Sequence, residues 1–375
     1  MKKRKLKKGV ILILLIITIL IVSVMIMQKN KQNENVENSK QPVNETINQE
    51  VEEKPKEKRM SLIAVGDILI HESVYKDAYV RESDSYDFHY MFTDIEPIIT
   101  KYDLKFCNQE SIIGGKTLGI SGYPSFNSPD EIGDELVNLG FNLISLANNH
   151  TLDKGENAVL YSNSYWKSKD VITAGSYSSV EERNQVKIYE KNGIKYAFLA
   201  YTTSSNAKVR KDYLLNMYSA DKAKNDIESL KDQVDVIIVS MHWGVENINT
   251  PTESQKQIAE YLSSLGVNLV IGHHPHVVQP VEYINNTLVI YSLGNFISNQ
   301  LSLRLNNGIG LMYGVDIVVD DTGIRFENEY KELVLAYAEK STNFKVIPFS
   351  KLNNELLNNY KSVEEQYMKI VNSES

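Results

Sequence analysis

The chain has 375 residues, of which 42% are hydrophobic, with nine prolines and a single cysteine, Cys107. That composition excludes a disulfide-stapled mini-protein, a collagen-like chain and a chain disordered throughout. The net charge of -8 conceals an asymmetry: residues 1–8 hold six basic side chains and no acid, so the remainder carries 34 basic against 48 acidic groups, about -14. A body that acidic is no general phosphate-backbone binder, because neutralising phosphates takes clustered Lys and Arg. No nucleic-acid partner is expected.

After the basic cluster, Val10 to Met27 is an 18-residue run whose only polar members are Thr18 and Ser23. As a helix at about 1.5 Å per residue it reaches close to the thickness of a bilayer's hydrocarbon core. It ends without the small-residue cleavage pattern of a signal peptide, and no Cys lies nearby to take a lipid. The expectation is a retained transmembrane signal anchor at 10–27. The positive-inside rule puts the N-terminus in the cytoplasm and everything after Gln28 outside the cell. Residues 28–60, rich in Asn, Gln, Glu and Lys, cannot bury enough apolar surface to offset their ordering entropy and read as a flexible tether.

From Ser61 to about residue 350 the texture is that of one α/β domain. Strands are expected at Leu62–Val65, Leu104–Phe106, Leu143–Leu146, Tyr196–Tyr201, Val236–Val239, Leu269–Ile271 and Val289–Tyr291. Between them, Asp130–Leu139, Glu156–Lys167, Asp221–Leu230 and Glu253–Leu265 read as helices. The last two follow Ser219 and Thr252, candidate N-caps. Such alternation predicts largely parallel strands buried on both faces. After Asn295, Gly310–Val319, Arg325–Tyr330 and Leu333–Ala336 read as antiparallel strands, and Lys351–Val371 as a peripheral helix in the terminal segment 351–375.

The chemistry gathers at strand ends. Leu62–Val65 runs into Gly66-Asp67, and Leu104–Phe106 into Cys107-Asn108-Gln109-Glu110. Leu143–Leu146 runs into Ala147-Asn148-Asn149-His150, Val236–Val239 into Ser240-Met241-His242-Trp243, and Leu269–Ile271 into Gly272-His273-His274-Pro275-His276. Parallel strands would bring these groups to one edge, where α/β sheets bind ligands. Five of the seven histidines stand there, and His is both the commonest metal ligand and the usual acid/base near neutral pH. With Asp67, Glu110 and Asn149 supplying oxygen, the mixed set suits a divalent Mn, Fe or Zn ion better than Ca or Mg. His71 and His89 read as surface or hydrogen-bonded residues. Gly114-Gly115-Lys116-Thr117 fails as a phosphate-binding loop because Glu110 occupies the required first Gly, so no ATP site is expected. Cys107 reads as a small buried hydrophobe.

Taken together, Gly66-Asp67-Ile68, Asn108-x-Glu110, Asn148-Asn149-His150 with Asp153-x-Gly155, His242-Trp243-Gly244 with Glu246, Gly272-His273-His274-Pro275-His276 and Tyr291-Ser292-Leu293-Gly294-Asn295-Phe296 resemble the CapA family of capsule and poly-gamma-glutamate synthesis. The resemblance covers residues 61–300. It implies a metallophosphoesterase-like fold, a β-sandwich flanked by helices, with metal ligands Asp67, Glu110, Asn149, His242, His274 and His276. His150 and His273 are the implied acid/base groups, and Asn108, Trp243, Glu246 and Asn295 the implied substrate contacts. Leu69 stands where the first phosphoesterase motif has His, and Asn108-Gln109-Glu110 replaces the bridging Asp, so one ion is expected rather than two. The implied partners are an anionic polymer such as poly-gamma-glutamate and a capsule-synthase membrane complex. A hydrolase of phosphoester bonds and a non-catalytic polymer-binding module are the alternatives.

Overall fold

The structure is a computed structural model that describes residues 57–374, Leu303 excepted, together with Ile21, Ser23 and Met25. Apart from those three positions the expected membrane span at 10–27 lies outside the described residues, as does the expected tether up to residue 56. Among the described residues, no helix is long and apolar enough to cross a membrane. Pro55–Ser375 forms one unit.

In chain order the described strands are β1 (Lys58–Ile68), β2 (Tyr79–Val80), β3 (Ser85–Tyr86), β4 (Leu104–Gln109), β5 (Leu143–Ser145), β6 (Ile172–Ala174), β7 (Tyr189–Lys191), β8 (Ile194–Thr202), β9 (Val236–His242), β10 (Leu269–His273), β11 (Val281–Ile284), β12 (Thr287–Ile290), β13 (Asn295–Ile297), β14 (Ile309–Asp320), β15 (Gly323–Glu339) and β16 (Thr342–Pro348). One sheet runs β16-β15-β14-β1-β4-β5-β6, with β13 also paired to β1, and the other runs β11-β12-β10-β9-β8-β7. Strands β1, β4, β5 and β6 are parallel to one another, as are β8, β9, β10 and β12. Antiparallel strands close the β16 flank of the first sheet and both flanks of the second, whereas β6 is a parallel edge.

Side chains alternate across a strand, and the inner strands use both faces. Leu62 and Ala64 of β1 join Phe106, Phe198, Ile238, Ile271 and Ile290 in a core that both sheets share. Ile63 and Val65 point the other way, to a second core with Ile132 and Leu136 of helix Asp130–Asn138 and Trp166 of helix Gly155–Lys167. A third core sets Ile237, Val239 and Val270 against Ala223 and Ile227 of helix Ala220–Glu228 and Ala259 and Leu262 of helix Glu253–Ser264. Two sheets therefore face each other with helices on their outer sides, a mixed α/β architecture. Each fully buried aliphatic or aromatic side chain contributes on the order of 1.5–3 kcal/mol. Ser219 caps its helix by accepting the Lys222 N–H, and Thr252 forms a reciprocal capping box with Gln255.

Several elements differ from the sequence expectation, and β2, β3, β6, β7, β11, β13 and β16 were not among the expected strands. Arg325–Tyr330 and Leu333–Ala336 belong to one strand, β15, whose pairing with β14 shifts register between Gly314 and Asp316. The C-terminal helix is Tyr360–Val371, not Lys351–Val371. Asn353 accepts the Glu355 and Leu356 N–H groups, and Asn359 takes a left-handed φ of 56° before the helix starts; asparagine favours such local bonding over helix interiors. The domain also begins earlier than Ser61, because Lys58, Arg59 and Met60 pair with β14.

Candidate metal centre

The strand registers assemble the site. Asp67, at the end of β1, is level with Asn108 of β4 on one side and Asn295 of β13 on the other. In the second sheet His242 of β9 pairs with His273 of β10. Glycine permits the closeness: a Cβ on Gly66 would stand 2.0 Å from the Gly294 carbonyl oxygen, and one on Gly272 would stand 2.0 Å from that of Tyr291. Beyond β10 the chain turns through His274 at φ 98° and His276 at φ 57°, with Pro275 between them disfavouring a helical His274. Two non-glycine residues with positive φ this close mark stored strain, on the order of 1–3 kcal/mol each, of the kind found at functional sites.

Glu110 lies at the centre. It is fully buried, and its Oε1 is 3.7 Å from His242 Nε2 and 3.7 Å from His276 Nε2. It belongs to two ligand groups whose donor atoms lie within 4.8 Å of one another: Glu110 with His242 and His274, and Asp67 with Glu110 and His276. Asn149 joins the first group, its Oδ1 2.9 Å from His242 Nε2. Around the second, Asp67 Oδ1 accepts from Asn108 Nδ2 at 2.8 Å and lies 2.9 Å from His273 Nδ1. His276 Nδ1 is 3.0 Å from Asn295 Oδ1, and 3.2 Å from Asp67 Oδ2 without hydrogen-bond alignment.

Whether these residues fit a cation is answered by their unused atoms. Both Glu110 oxygens, Asp67 Oδ2, His242 Nδ1 and His274 Nδ1 are buried without a hydrogen-bond partner. Leaving a buried carboxylate with no donor costs several kcal/mol, and a divalent ion taken by Glu110 with His242 and His274, or by Glu110 with Asp67 and His276, would meet that need. The donor set mixes imidazole nitrogens with carboxylate oxygens, a combination that divalent metal ions take.

Electrostatics sort the ligands. Burial, reinforced by the negative charges of Asp67 and Glu246, pushes the Glu110 carboxyl well above its usual range, against the pull of His276. Burial also acts on Asp67, but the His273 hydrogen bond and the nearby His276 outweigh it and hold that carboxyl well below its usual range. Burial and the neighbouring His274 depress His242, and burial with His276 takes His274 down to about 4. His276 is opposed by burial yet raised to about 10 by Glu110 and Asp67.

The remaining sequence candidates fall in different places. His150 stands on the turn after β5, with Nδ1 2.7 Å from Asp153 Oδ2 and its ring edge-on to Phe126 at 4.7 Å. His273 is 0% exposed, its ring 5.3 Å from Phe106 in the inter-sheet core and its Nδ1 2.9 Å from Asp67 Oδ1, which it orients. Trp243, expected to contact substrate, is also 0% exposed; it stacks on Tyr291 and donates Nε1–H to the Tyr291 carbonyl at 2.9 Å. Its neighbour His242 faces the ligands because alternate residues of a strand face opposite ways. Glu246 is exposed at the rim, close enough to act on Glu110, His274 and His276.

Sequence reasoning gave no role to Asp153 or Asn206, while His71, read as a surface or hydrogen-bonded residue, accepts the Asn299 N–H at Nδ1. Asp153 sits three residues after His150, and that short spacing was its available signal. Asn206 holds its side-chain amide 3.3 Å from His150 Nδ1, and its N–H donates to the Asn149 carbonyl. His71 packs edge-on against Phe126 at 5.4 Å, and burial, with the charges of His276 and His150, takes its pKa down to about 4. No local motif marked Asn206. His89 is a surface partner of Glu135 at 3.1 Å.

Comparison with known proteins places this chain among relatives. The profile of a family described as "Bacterial capsule synthesis protein PGA_cap" matches residues 61–300. The chain is 28% identical over 268 residues to the PGA biosynthesis protein CapA of Bacillus subtilis (strain 168), an alignment covering 68% of this chain and 67% of that protein. It is 25% identical over 277 residues to the capsule biosynthesis protein CapA of Bacillus anthracis, covering 68% of this chain and 64% of the relative. The chain thus spans about two thirds of the length of these curated relatives. Among solved structures, the calcineurin-like phosphoesterase YfkN from Bacillus subtilis is similar with a TM-score of 0.47 at 16% identity, covering 83% of this chain and 97% of that one.

Proposed function

The chain belongs to the PGA_cap family of bacterial capsule synthesis proteins, and on that premise we propose that it is a membrane-anchored, metal-dependent protein acting on an anionic capsule polymer such as poly-gamma-glutamate during its synthesis, export or attachment. The observation that carries the reading is Glu110: a fully buried carboxylate with no donor on either oxygen, shared by two groups of ligands. Glu110, His242 and His274, with Asn149 beside them, would hold the ion. The Asp67, Glu110 and His276 group is braced internally by Asn108, His273 and Asn295, so one ion binds more readily than two. A bound divalent ion supplies Lewis acidity, polarising an acyl or phosphoryl oxygen, and local positive charge on an acidic protein.

The protein's own groups do the rest. Asp153 fixes the His150 tautomer with Nδ1–H donated, which leaves Nε2 as the nitrogen that moves a proton. Asp67, kept ionised by His273, supplies negative charge to the ligand cage. The basic N-terminus and the apolar run at 10–27 support a single-pass arrangement with a cytoplasmic N-terminus and an extracellular main domain. Family membership supports work within a capsule-synthase membrane complex.

The test is incubation of the purified full-length chain, loaded with Mn, Fe or Zn, with poly-gamma-glutamate, following polymer length by size-exclusion chromatography. Shortened polymer, lost in His150→Ala, is expected. Unchanged polymer together with hydrolysis of a generic phosphodiester would instead favour a phosphoesterase, the reading that the Asp153-oriented His150 beside Asn149 also supports.

A further inference from the structure

Away from the metal centre, an open groove of about 740 Å³ is lined by Arg183, Arg210, Lys211 and Lys222, with only Asp212 and Asp226 as acids. Such a concentration of positive charge is out of character for a body carrying 34 basic against 48 acidic groups beyond residue 8. The cations are not equivalent. Arg183 is spent on Asp226, to which it donates twice at 2.8 and 3.0 Å, and Tyr201 donates to the same carboxylate. Lys211 reaches Glu156 at 2.6 Å. Arg210, exposed, and Lys222, half-buried, form no ion pair among the described residues. Burial and the neighbouring Arg183 depress the Lys222 ammonium, a cost that an incoming anion removes.

The groove is joined to the metal centre by a short piece of chain. Asn206 touches His150 through its side chain and Asn149 through its backbone. Arg210 follows four residues later, at most about 14 Å of extended backbone away. One anionic chain can therefore occupy the groove and reach the site.

We propose that this groove is a binding track for the polymer, gripping successive carboxylates of a polycarboxylate chain through Arg210 and Lys222 while another segment lies at the metal centre. This rests on the functional reading above and names how that substrate is held. Carboxylates spaced along a flexible backbone suit separated, unpaired cations, and neither cation has to break an existing ion pair to bind.

The experiment measures binding of fluorescent gamma-linked glutamate oligomers to the full-length chain by anisotropy, at low and high salt, with Arg210→Glu/Lys222→Glu beside the wild type. Arg210 is exposed, and Lys222→Glu puts a carboxylate three residues after the Ser219 cap, where it completes a capping box, though beside Asp212 and Asp226. Circular dichroism and metal content check that both proteins are intact. Expected is oligomer binding that weakens with salt, with at least about a tenfold loss of affinity at low salt in the variant. Equal affinity in the two proteins overturns the track and leaves the polymer reading standing. No binding of any oligomer by the intact wild type overturns both.

Discussion

Asp153 Oδ2 lies 2.7 Å from His150 Nδ1 and at the same time accepts the Phe126 N–H at 2.8 Å. One carboxylate therefore sets the tautomer of the histidine and fastens the loop whose Phe126 ring packs against it. Asp153→Ala should lose both bonds, lower stability by about 1–3 kcal/mol and free the His150 ring. Chemical denaturation and nitrogen-detected NMR of the ring check this; a His150 that keeps Nδ1–H in the variant would contradict the assigned role.

Trp243→Phe tests whether the tryptophan serves the core or the ligand. Its indole N–H bonds the Tyr291 carbonyl within the third core. Losing that donor from a buried carbonyl should cost about 1–3 kcal/mol in denaturation, with metal content and oligomer affinity unchanged. Weakened oligomer binding at unchanged stability would restore Trp243 as a substrate contact.

Gly272→Ala puts a methyl group 2.0 Å from the Tyr291 carbonyl oxygen, one residue before His273. The strands must part, so a stability loss of about 1–3 kcal/mol or more is expected, accompanied by weaker metal binding because β10 delivers the turn with His274 and His276. A variant with wild-type melting temperature and metal affinity would show that the approach of β10 to β12 is looser than described.

Metal binding should release protons. Burial holds the Glu110 carboxyl well above its usual range, and His276 is raised to about 10 by the acids around it. Both shifts are upward, so the metal-free pair holds protons more tightly than the free groups would, and an ion has to displace them. Affinity should therefore climb as pH rises from 6 to 8. Calorimetry in buffers of different ionisation enthalpy reads the number released, and binding with no proton release and no pH dependence would be the contrary result.

Much of the site could be read from the chain because it lies at strand ends, where apolar runs stop abruptly at polar residues. Asp67, Glu110, Asn149, His242, His274 and His276 do converge, since the strands carrying most of them are parallel. What escaped reading depended on direction or on distance along the chain. Trp243 and His242 are adjacent, and only the strand's orientation decides which one faces the ligands. His273 carries the same side chain as His274, yet the turn through positive φ begins between them. Asn206 reaches His150, and His71 reaches the Phe126 ring beside it, from segments far away in sequence. Edge strands such as β7, with Tyr189, Glu190 and Lys191, lack an apolar run because solvent covers part of them.

The most direct test of the account is the metal content of the full-length chain by elemental mass spectrometry, after supplementation with Mn, Fe and Zn, beside Glu110→Gln. Glutamine keeps the shape and removes the charge that both ligand groups share. About one transition-metal ion per chain in the wild type, lost in the variant while its circular dichroism is unchanged, is the predicted result. No metal in the wild type, or full metal in Glu110→Gln, would contradict a centre built on Glu110.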